Sequence, residues 1–413
     1  MLRVTSTTLP ETAVDGGHRP GSPDYRRLVG ALFAAGLITF ALLYSTQAVL
    51  PELAADFDVS AAQSTLAVSL TTLGLGLALL VTGPWSDRIG RTRLINASLA
   101  GSTVVALACA LAPSWSVLLG LRLLLGVTLA GLPAVATAYL REELHGSAHA
   151  RAAGLYIGGT ALGGMAGRLV TAPIAEVAGW RWGLAAAAAL GLACTLAVRF
   201  LLPRSRRFAP ATGGPREVLA TARRALSDPA LLGLYAVGGC SVGAMVAVYN
   251  VLGFRLTDAP FGLGVGAASL VFLAYPLGSL SSVASGRIAD RLGRRAVLPV
   301  GCVVAVVGVL VTLPDSLPLV GLGVGLLTIG FFAVHGVASG WVPARAHAGG
   351  VSTGQAASLY LFSFYLGSSA FGSLAGSAYD VTGWPGVVGL AVTLLLISAG
   401  CAHALRRTPA LPS

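Results

Sequence analysis

Gly83-Pro84-Trp85-Ser86-Asp87-Arg88-Ile89-Gly90-Arg91-Thr92-Arg93 is a charged, turn-bearing stretch set between two long apolar runs. It recurs as Gly286-Arg287-Ile288-Ala289-Asp290-Arg291-Leu292-Gly293-Arg294-Arg295, again between apolar runs. Both copies read G-x-x-x-D-R-x-G-R, and Asp87 and Asp290 lie 203 residues apart in a chain of 413. A chain that repeats itself at half its length is read as two similar halves before any element is assigned.

The runs around the motif fix the solvent. The chain is 55% hydrophobic and only 10% charged, with a mean hydropathy of +0.79, where a soluble domain carries about 25% charged residues. It cannot solvate its surface in water and belongs in lipid. About twelve apolar segments follow one another, near 28–50, 61–84, 94–112, 115–139, 152–175, 182–202, 230–253, 264–285, 296–313, 317–340, 352–376 and 383–404. Each approaches the roughly 20 residues that cross ~30 Å of hydrocarbon as a helix. In lipid only helices and closed barrels satisfy their backbone, and runs of this length are helices. The expected fold is all-α and integral to the membrane, in two pseudo-symmetric six-helix bundles, 28–202 and 230–404. A polar tail (1–27), a central loop (203–229) and a short end (405–413) complete the chain.

The net charge of +11 comes from 27 arginines and no lysine. If both ends face the cytoplasm, 23 arginines fall in inside segments and two, Arg181 and Arg255, outside; Arg122 and Arg168 lie within the membrane. That asymmetry obeys the positive-inside rule. It also removes the nucleic-acid reading, because the charge is spread along one leaflet. The acidic residues Glu52, Asp56, Asp58, Glu176, Asp258, Asp315 and Asp380 are expected in outside loops. In the central loop, 216–226 reads either as a short surface helix, with Arg216, Arg223 and Arg224 set against Val218, Leu219 and Leu226, or as a plain linker. The five cysteines all fall in apolar runs, without metal-ligand spacing. No cofactor or metal is expected. No G-x-x-x-x-G-K-[ST] loop occurs, so direct drive by ATP is excluded, and no nucleophile–base set points to an enzyme.

The paired motif resembles the signature loop that joins helices 2 and 3, and again helices 8 and 9, in the major facilitator superfamily. The resemblance covers nearly the whole chain after the tail. It implies two six-helix bundles that rock around a midplane substrate site, giving alternating access. It also implies that Gly83, Asp87, Arg88, Gly90, Arg91 and Arg93, with Gly286, Asp290, Arg291, Gly293 and Arg294, act as a conformational latch; the alternative is a charge cluster that only fixes orientation. Gly154–Arg168, Tyr249–Arg255 and Phe332–Trp341 are similar to the YnfM-type bacterial inner-membrane exporters. The implied setting is the bacterial cytoplasmic membrane, with the protein acting as a monomer.

Polar residues inside the apolar runs are the candidates for substrate or coupling. Arg122 lies in Leu121-Arg122-Leu123-Leu124-Leu125-Gly126 and resembles a helix-4 motif of proton-coupled exporters, with Leu125 where the family has glutamine. An arginine in hydrocarbon costs at least ~2.5 kcal/mol, so it needs a cavity or a partner; carbonyls freed at a helix break near Pro133 are the structural alternative. Arg168 follows Gly154, Gly158, Gly159, Gly163, Gly164 and Gly167, whose small-x-x-x-small spacing allows close helix packing. Counted from the helix ends, both arginines lie at one depth on neighbouring helices. No Asp or Glu falls well inside any span, which leaves as proton-carrier candidates His335, whose alternative is a hydrogen-bonded helix contact, Asp87, and Glu142 and Glu143 at the inner end of the fourth run. Tyr44 and Gln47, Tyr249 and Asn250, and Tyr360, Phe364 and Tyr365 complete a plausible cavity.

Three functions are compatible with this pattern. The resemblance points to proton-coupled efflux of a drug-like compound or metabolite. The two arginines and the missing carboxylates point to transport of an organic anion. A membrane sensor or scaffold without flux is the reading from another class.

Overall fold

The computed structural model describes residues 17–205 and 215–407; the side chains of Pro84, Asp87 and residues 215–219 lie outside the description. Arg3, Arg206 and Arg207, the Asp87 carboxylate and the side chains of Arg216, Val218 and Leu219, all singled out from sequence, therefore lie outside the described residues.

The described residues are helical almost throughout. In the first half α1 (Pro23–Tyr44), a 3-10 turn (Gln47–Val49) and α2 (Leu50–Phe57) form one long run. There follow α3 (Ala61–Ile89), α4 (Arg91–Ala110), α5 (Trp115–Leu129), α6 (Gly131–Glu143), α7 (His149–Ala178) and α8 (Trp180–Leu201). A short α9 (Pro215–Ser227) precedes the second half. That half comprises α10 (Pro229–Thr257), α11 (Val265–Ser269), a 3-10 turn (Leu270–Ala274) and α12 (Tyr275–Leu292), then α13 (Arg294–Val311), α14 (Leu317–Ala348), α15 (Thr353–Thr382) and α16 (Trp384–Ala404).

Ten of the helical runs are long and apolar enough to cross a membrane. The 30-residue helices α7 and α15 are equally long but dilute their apolar residues with glycine, serine and charge. With them the architecture is two sets of six membrane-length helical runs. Short polar caps start some of the helices: Ser60 accepts from the Gln63 N–H and the Gln63 side chain accepts from the Ser60 N–H, while Asp228 accepts from Ala230 and Leu231 and also pairs with Arg345. The repeat is visible in the backbone. Gly90 and Gly293, each in its own copy of the charged motif, turn the chain between consecutive helices at φ of 96° and 86°. That region of the backbone map favours glycine.

Several boundaries differ from the sequence reading, because turns and helices are continuous in hydrogen bonding where hydropathy falls. Glu52 and Asp56 lie in α2, Glu176 in α7 and Asp380 in α15, not in loops. The break in the fourth run falls at Ala130, ahead of Pro133. The central segment forms α9, which packs on α10 and α15 with Thr221 and Ala225 buried. The first and last described residues lie at one end of the bundle, His18 beside Leu144 and Arg406 beside Arg295; it is called here the termini end.

The halves meet along α3 and α15, α7 with α11 and α12, and α2 with α10. At the far end two carboxylates clasp them. Glu176 Oε2 of the first half accepts the Gly266 N–H at the start of α11, at 2.7 Å. Asp380 Oδ2 of the second half accepts the Ala62 N–H at the start of α3, at 3.0 Å. Each carboxylate thus faces the positive end of a helix across the junction. Positions 176 and 380, like 62 and 266, differ by 204, close to the repeat of the motif.

Candidate functional site

Arg168 projects from the middle of α7, and its position is set by glycine. Gly159, Gly163 and Gly167 lie one turn apart and face the carbonyls of Phe33, Leu37 and Ala41 on α1, where any Cβ would collide with the backbone. The two helices therefore pack almost backbone to backbone. Gly164 faces the Tyr275 ring, while Gly154 and Gly158 face open space.

At this contact the Arg168 guanidinium is 0% exposed. Its Nε donates to Gln47 Oε1 at 2.6 Å, one terminal nitrogen donates to the Gly164 carbonyl, and the other donates to the Tyr275 hydroxyl at 3.0 Å. The rings of Tyr44, Tyr275 and Phe272 surround it, with centroids 4.4, 4.6 and 4.7 Å from the guanidinium carbon. Tyr249 lies at 5.9 Å. Aromatic faces attract a cation, but every partner is neutral. Among the described residues no carboxylate pairs with Arg168.

The site bridges the halves. Tyr44, Gln47 and Arg168 belong to the first; Tyr249, Asn250, Phe272 and Tyr275 belong to the second. Gln47 Nε2 donates to Asn250 Oδ1 at 2.5 Å, Asn250 Nδ2 donates to the Gly372 carbonyl at 3.3 Å, and the Tyr249 hydroxyl meets Thr328 Oγ1 at 2.8 Å. Five candidates from the sequence, Tyr44, Gln47, Arg168, Tyr249 and Asn250, are therefore brought together. Phe272, Tyr275, Thr328 and Gly372 were missed. Tyr275 has one signal, the following Pro276, which starts α12 after the 3-10 turn inside an apolar run.

Arg122 does not join this site. It is 1% exposed, within the first half. Its Nε donates to the Ala67 carbonyl at 2.8 Å, and its terminal nitrogens donate to the carbonyls of Leu43 at 2.7 Å and Leu42 at 3.2 Å, with Ser45 Oγ at 3.4 Å. The last carbonyls of a helix lack intrahelical partners, and α1 ends at Tyr44 in the middle of its run. Arg122 satisfies them and faces the negative end of α1. The expectation of two arginines converging on one substrate is corrected here, and so is the expectation that a break near Pro133 would supply the carbonyls: the break lies in α1.

His335, Tyr360, Phe364 and Tyr365 form a second cluster on α14 and α15. His335 Nδ1 lies 3.0 Å from the Tyr360 hydroxyl. Its ring lies parallel to Phe331 at 5.8 Å and packs on Phe364 at 4.7 Å. Tyr365 meets Phe364 edge-on, and its Cβ faces Gly76 of α3, across the junction.

The two motif copies differ. In the first, Arg91 donates to both Ser86 Oγ and Glu142, the latter at 2.9 Å, which fastens the α3–α4 turn to α6 of the same half. Arg88 and Arg93 are exposed. In the second, Asp290, Arg291 and Arg294 are exposed. Gly83 and Gly286 both face open space.

Residues 32–369 match the Major Facilitator Superfamily. The chain belongs to this superfamily. It is 40% identical to the inner membrane transport protein YnfM of Escherichia coli K12, over 92% of this chain and 90% of that one. It is 26% identical to a gallate transporter of Pseudomonas putida, over 87% of this chain and 88% of that protein. Its fold matches a bacterial homologue of the human lysosomal transporter Spinster in an inward-facing, occupied conformation, with a TM-score of 0.77 and 17% identity, over 94% and 98% of the two chains. A superfamily member of this architecture is a multi-pass membrane transporter of small molecules and not an enzyme.

Proposed function

We propose that the chain moves a small organic anion across the membrane by alternating access, with Arg168 as the anion-binding group. The observation that carries this reading is a fully buried guanidinium, at the junction of the halves, whose partners are all neutral. A carboxylate would form charge-assisted, two-pronged hydrogen bonds there, stronger than those to Tyr275 and Gln47. It would displace Tyr275 and so loosen one half from the other, linking binding to motion. The gallate transporter among the relatives handles an aromatic carboxylate, in keeping with the aromatic walls of the site. Proton-coupled efflux of a lipophilic drug has less support, because the site offers an unneutralised cation and no carboxylate among the described residues to carry a proton.

The arginine distribution supports a cytoplasmic termini end. On that orientation, in a bacterial cytoplasmic membrane, the clasped far end faces outward and is closed. The halves, 28–202 and 230–404, are the moving units, joined by 203–229 and acting as a monomer. The motif at Asp87 would latch the termini end in the opposite state.

The test uses purified protein in liposomes with a pH-sensitive dye inside. Benzoate, 3-phenylpropionate, succinate and ethidium are added with and without a proton gradient. Saturable exchange of a carboxylate, absent in Arg168→Ala, is the expected result. Flux of ethidium alone, unaffected by Arg168→Ala, would overturn the reading.

A further inference from the structure

The aromatic surface that begins at Arg168 does not end there. Tyr275, which bonds Arg168, meets Phe332 edge-on at 6.0 Å; Phe332 meets Phe331 at 5.0 Å; and Phe331 stacks on His335. Phe364 and Tyr365 continue the strip from His335, and the Tyr365 Cβ faces Gly76 of α3. Both ends of the strip thus lie against the first half, Tyr275 at Arg168 and the Tyr365 Cβ at Gly76, so the strip follows the junction of the halves. Along α14, His335 lies seven residues beyond Thr328, the partner of Tyr249 in the Arg168 site. At 1.5 Å per residue the separation is roughly 10 Å towards the termini end.

His335 is half-buried, while Tyr360 behind it is buried. The Tyr360 hydroxyl engages Nδ1, and Nε2 has no hydrogen-bond partner among the described residues. In a neutral imidazole one nitrogen donates and the other accepts. Whichever role Tyr360 imposes on Nδ1, Nε2 presents the opposite one. A hydroxyl group can meet either.

We propose that His335 Nε2 is a distal subsite of the transport site, which selects an aromatic acid bearing a hydroxyl about 10 Å from its carboxylate. The carboxylate goes to Arg168, the ring lies against Phe331, Phe332 and Phe364, and the hydroxyl bonds Nε2. This inference rests on the anion reading of Arg168. It assigns His335 a role in specificity, as a hydrogen-bonding group held by Tyr360, and not as a proton carrier.

The experiment measures affinities on purified full-length protein by calorimetry. The probes are 4-hydroxyphenyl carboxylic acids with zero to four methylenes before the carboxylate, each paired with its phenyl counterpart. The hydroxyl should improve affinity about tenfold at two to four methylenes and not at zero. In His335→Phe, which keeps the stacking, that ratio should fall to about one; His335→Gln, which keeps a donor and an acceptor, should retain part of it and serves if the first variant does not fold. Probes that bind in an Arg168-dependent way with no hydroxyl advantage, or with an advantage that survives both His335 variants, would overturn the subsite alone. Binding untouched by Arg168→Ala would overturn the anion reading and the subsite with it.

Discussion

Arg122 and Arg168 occupy adjacent runs of one half, both fully buried, both without an acidic partner among the described residues, and they do opposite things. Arg122 donates only within its own half, to carbonyls that the end of α1 leaves open and to α3. Arg168 reaches across the junction, to a phenol of the other half. The first therefore holds a shape that persists through any rocking of the halves. The second holds a contact that rocking must break. On the anion reading proposed above, what separates a structural arginine from a transport arginine is neither depth nor burial, but whether its partners belong to the same half.

The largest effect should come from removing the structural member. Arg122→Leu leaves the buried Leu43 carbonyl open, at about 1–3 kcal/mol, and takes the charged donor from the Leu42 and Ala67 carbonyls, which keep the Ser45 and Thr71 hydroxyls, at about 1 kcal/mol each. Yield and melting temperature in detergent should fall by the equivalent of roughly 3 kcal/mol, while the protein that does fold binds its anion as the wild type does; normal stability would erase the distinction. Next is Arg168→Ala. Loss of a charged hydrogen bond, worth about 1.5–3 kcal/mol, should weaken carboxylate binding about 10- to 150-fold in calorimetry, with a smaller fall in melting temperature than Arg122→Leu, because removing an unneutralised buried charge offsets the acceptors left open at Gln47 and Tyr275. A melting temperature that drops as far as that of Arg122→Leu would make the two arginines alike. Arg168→Lys keeps the charge but loses the planar fork, and a loss of about tenfold in affinity is expected. The smallest effect is that of Gln47→Leu, which removes the acceptor at Arg168 Nε and the link to Asn250. A change of about 1 kcal/mol, or roughly fivefold in exchange rate, should appear with no change in which carboxylates are accepted.

These residues were not equally legible in the sequence. The twelve runs and the half-length repeat follow from hydropathy and from one motif written twice. Gln47, Asn250 and Arg168 announced themselves because a polar group in an apolar span needs a partner, and their partners turned out to be one another. Phe272 and Tyr275 did not, since an aromatic residue in such a span reads equally well as packing. The partners of Arg122 were hidden for a different reason. The break after Tyr44 runs through Ser45-Thr46-Gln47, and its one mark in the sequence is Pro51, which starts α2 after the 3-10 turn. Carbonyls freed there belong to the backbone and leave no trace in side-chain identity. His335 was visible as a titratable group, but its parallel stack on Phe331 and its bond to Tyr360 required the fold. The short α9 was half visible: its amphipathic pattern suggested a surface helix, and its packing on α10 and α15 depends on where those helices end.

The two clasps at the far end have a mechanical meaning. One hydrogen bond between two bodies is a swivel: the bodies can turn about it without breaking it. Glu176 with Gly266 and Asp380 with Ala62 are two such bonds, related by the internal repeat and so placed on opposite sides of its axis. Two fastenings so placed resist twisting as well as separation. While both hold, the halves have no rotation left to them at that end. Once either lets go, the other becomes a pivot, and the bundle acquires a direction in which to open.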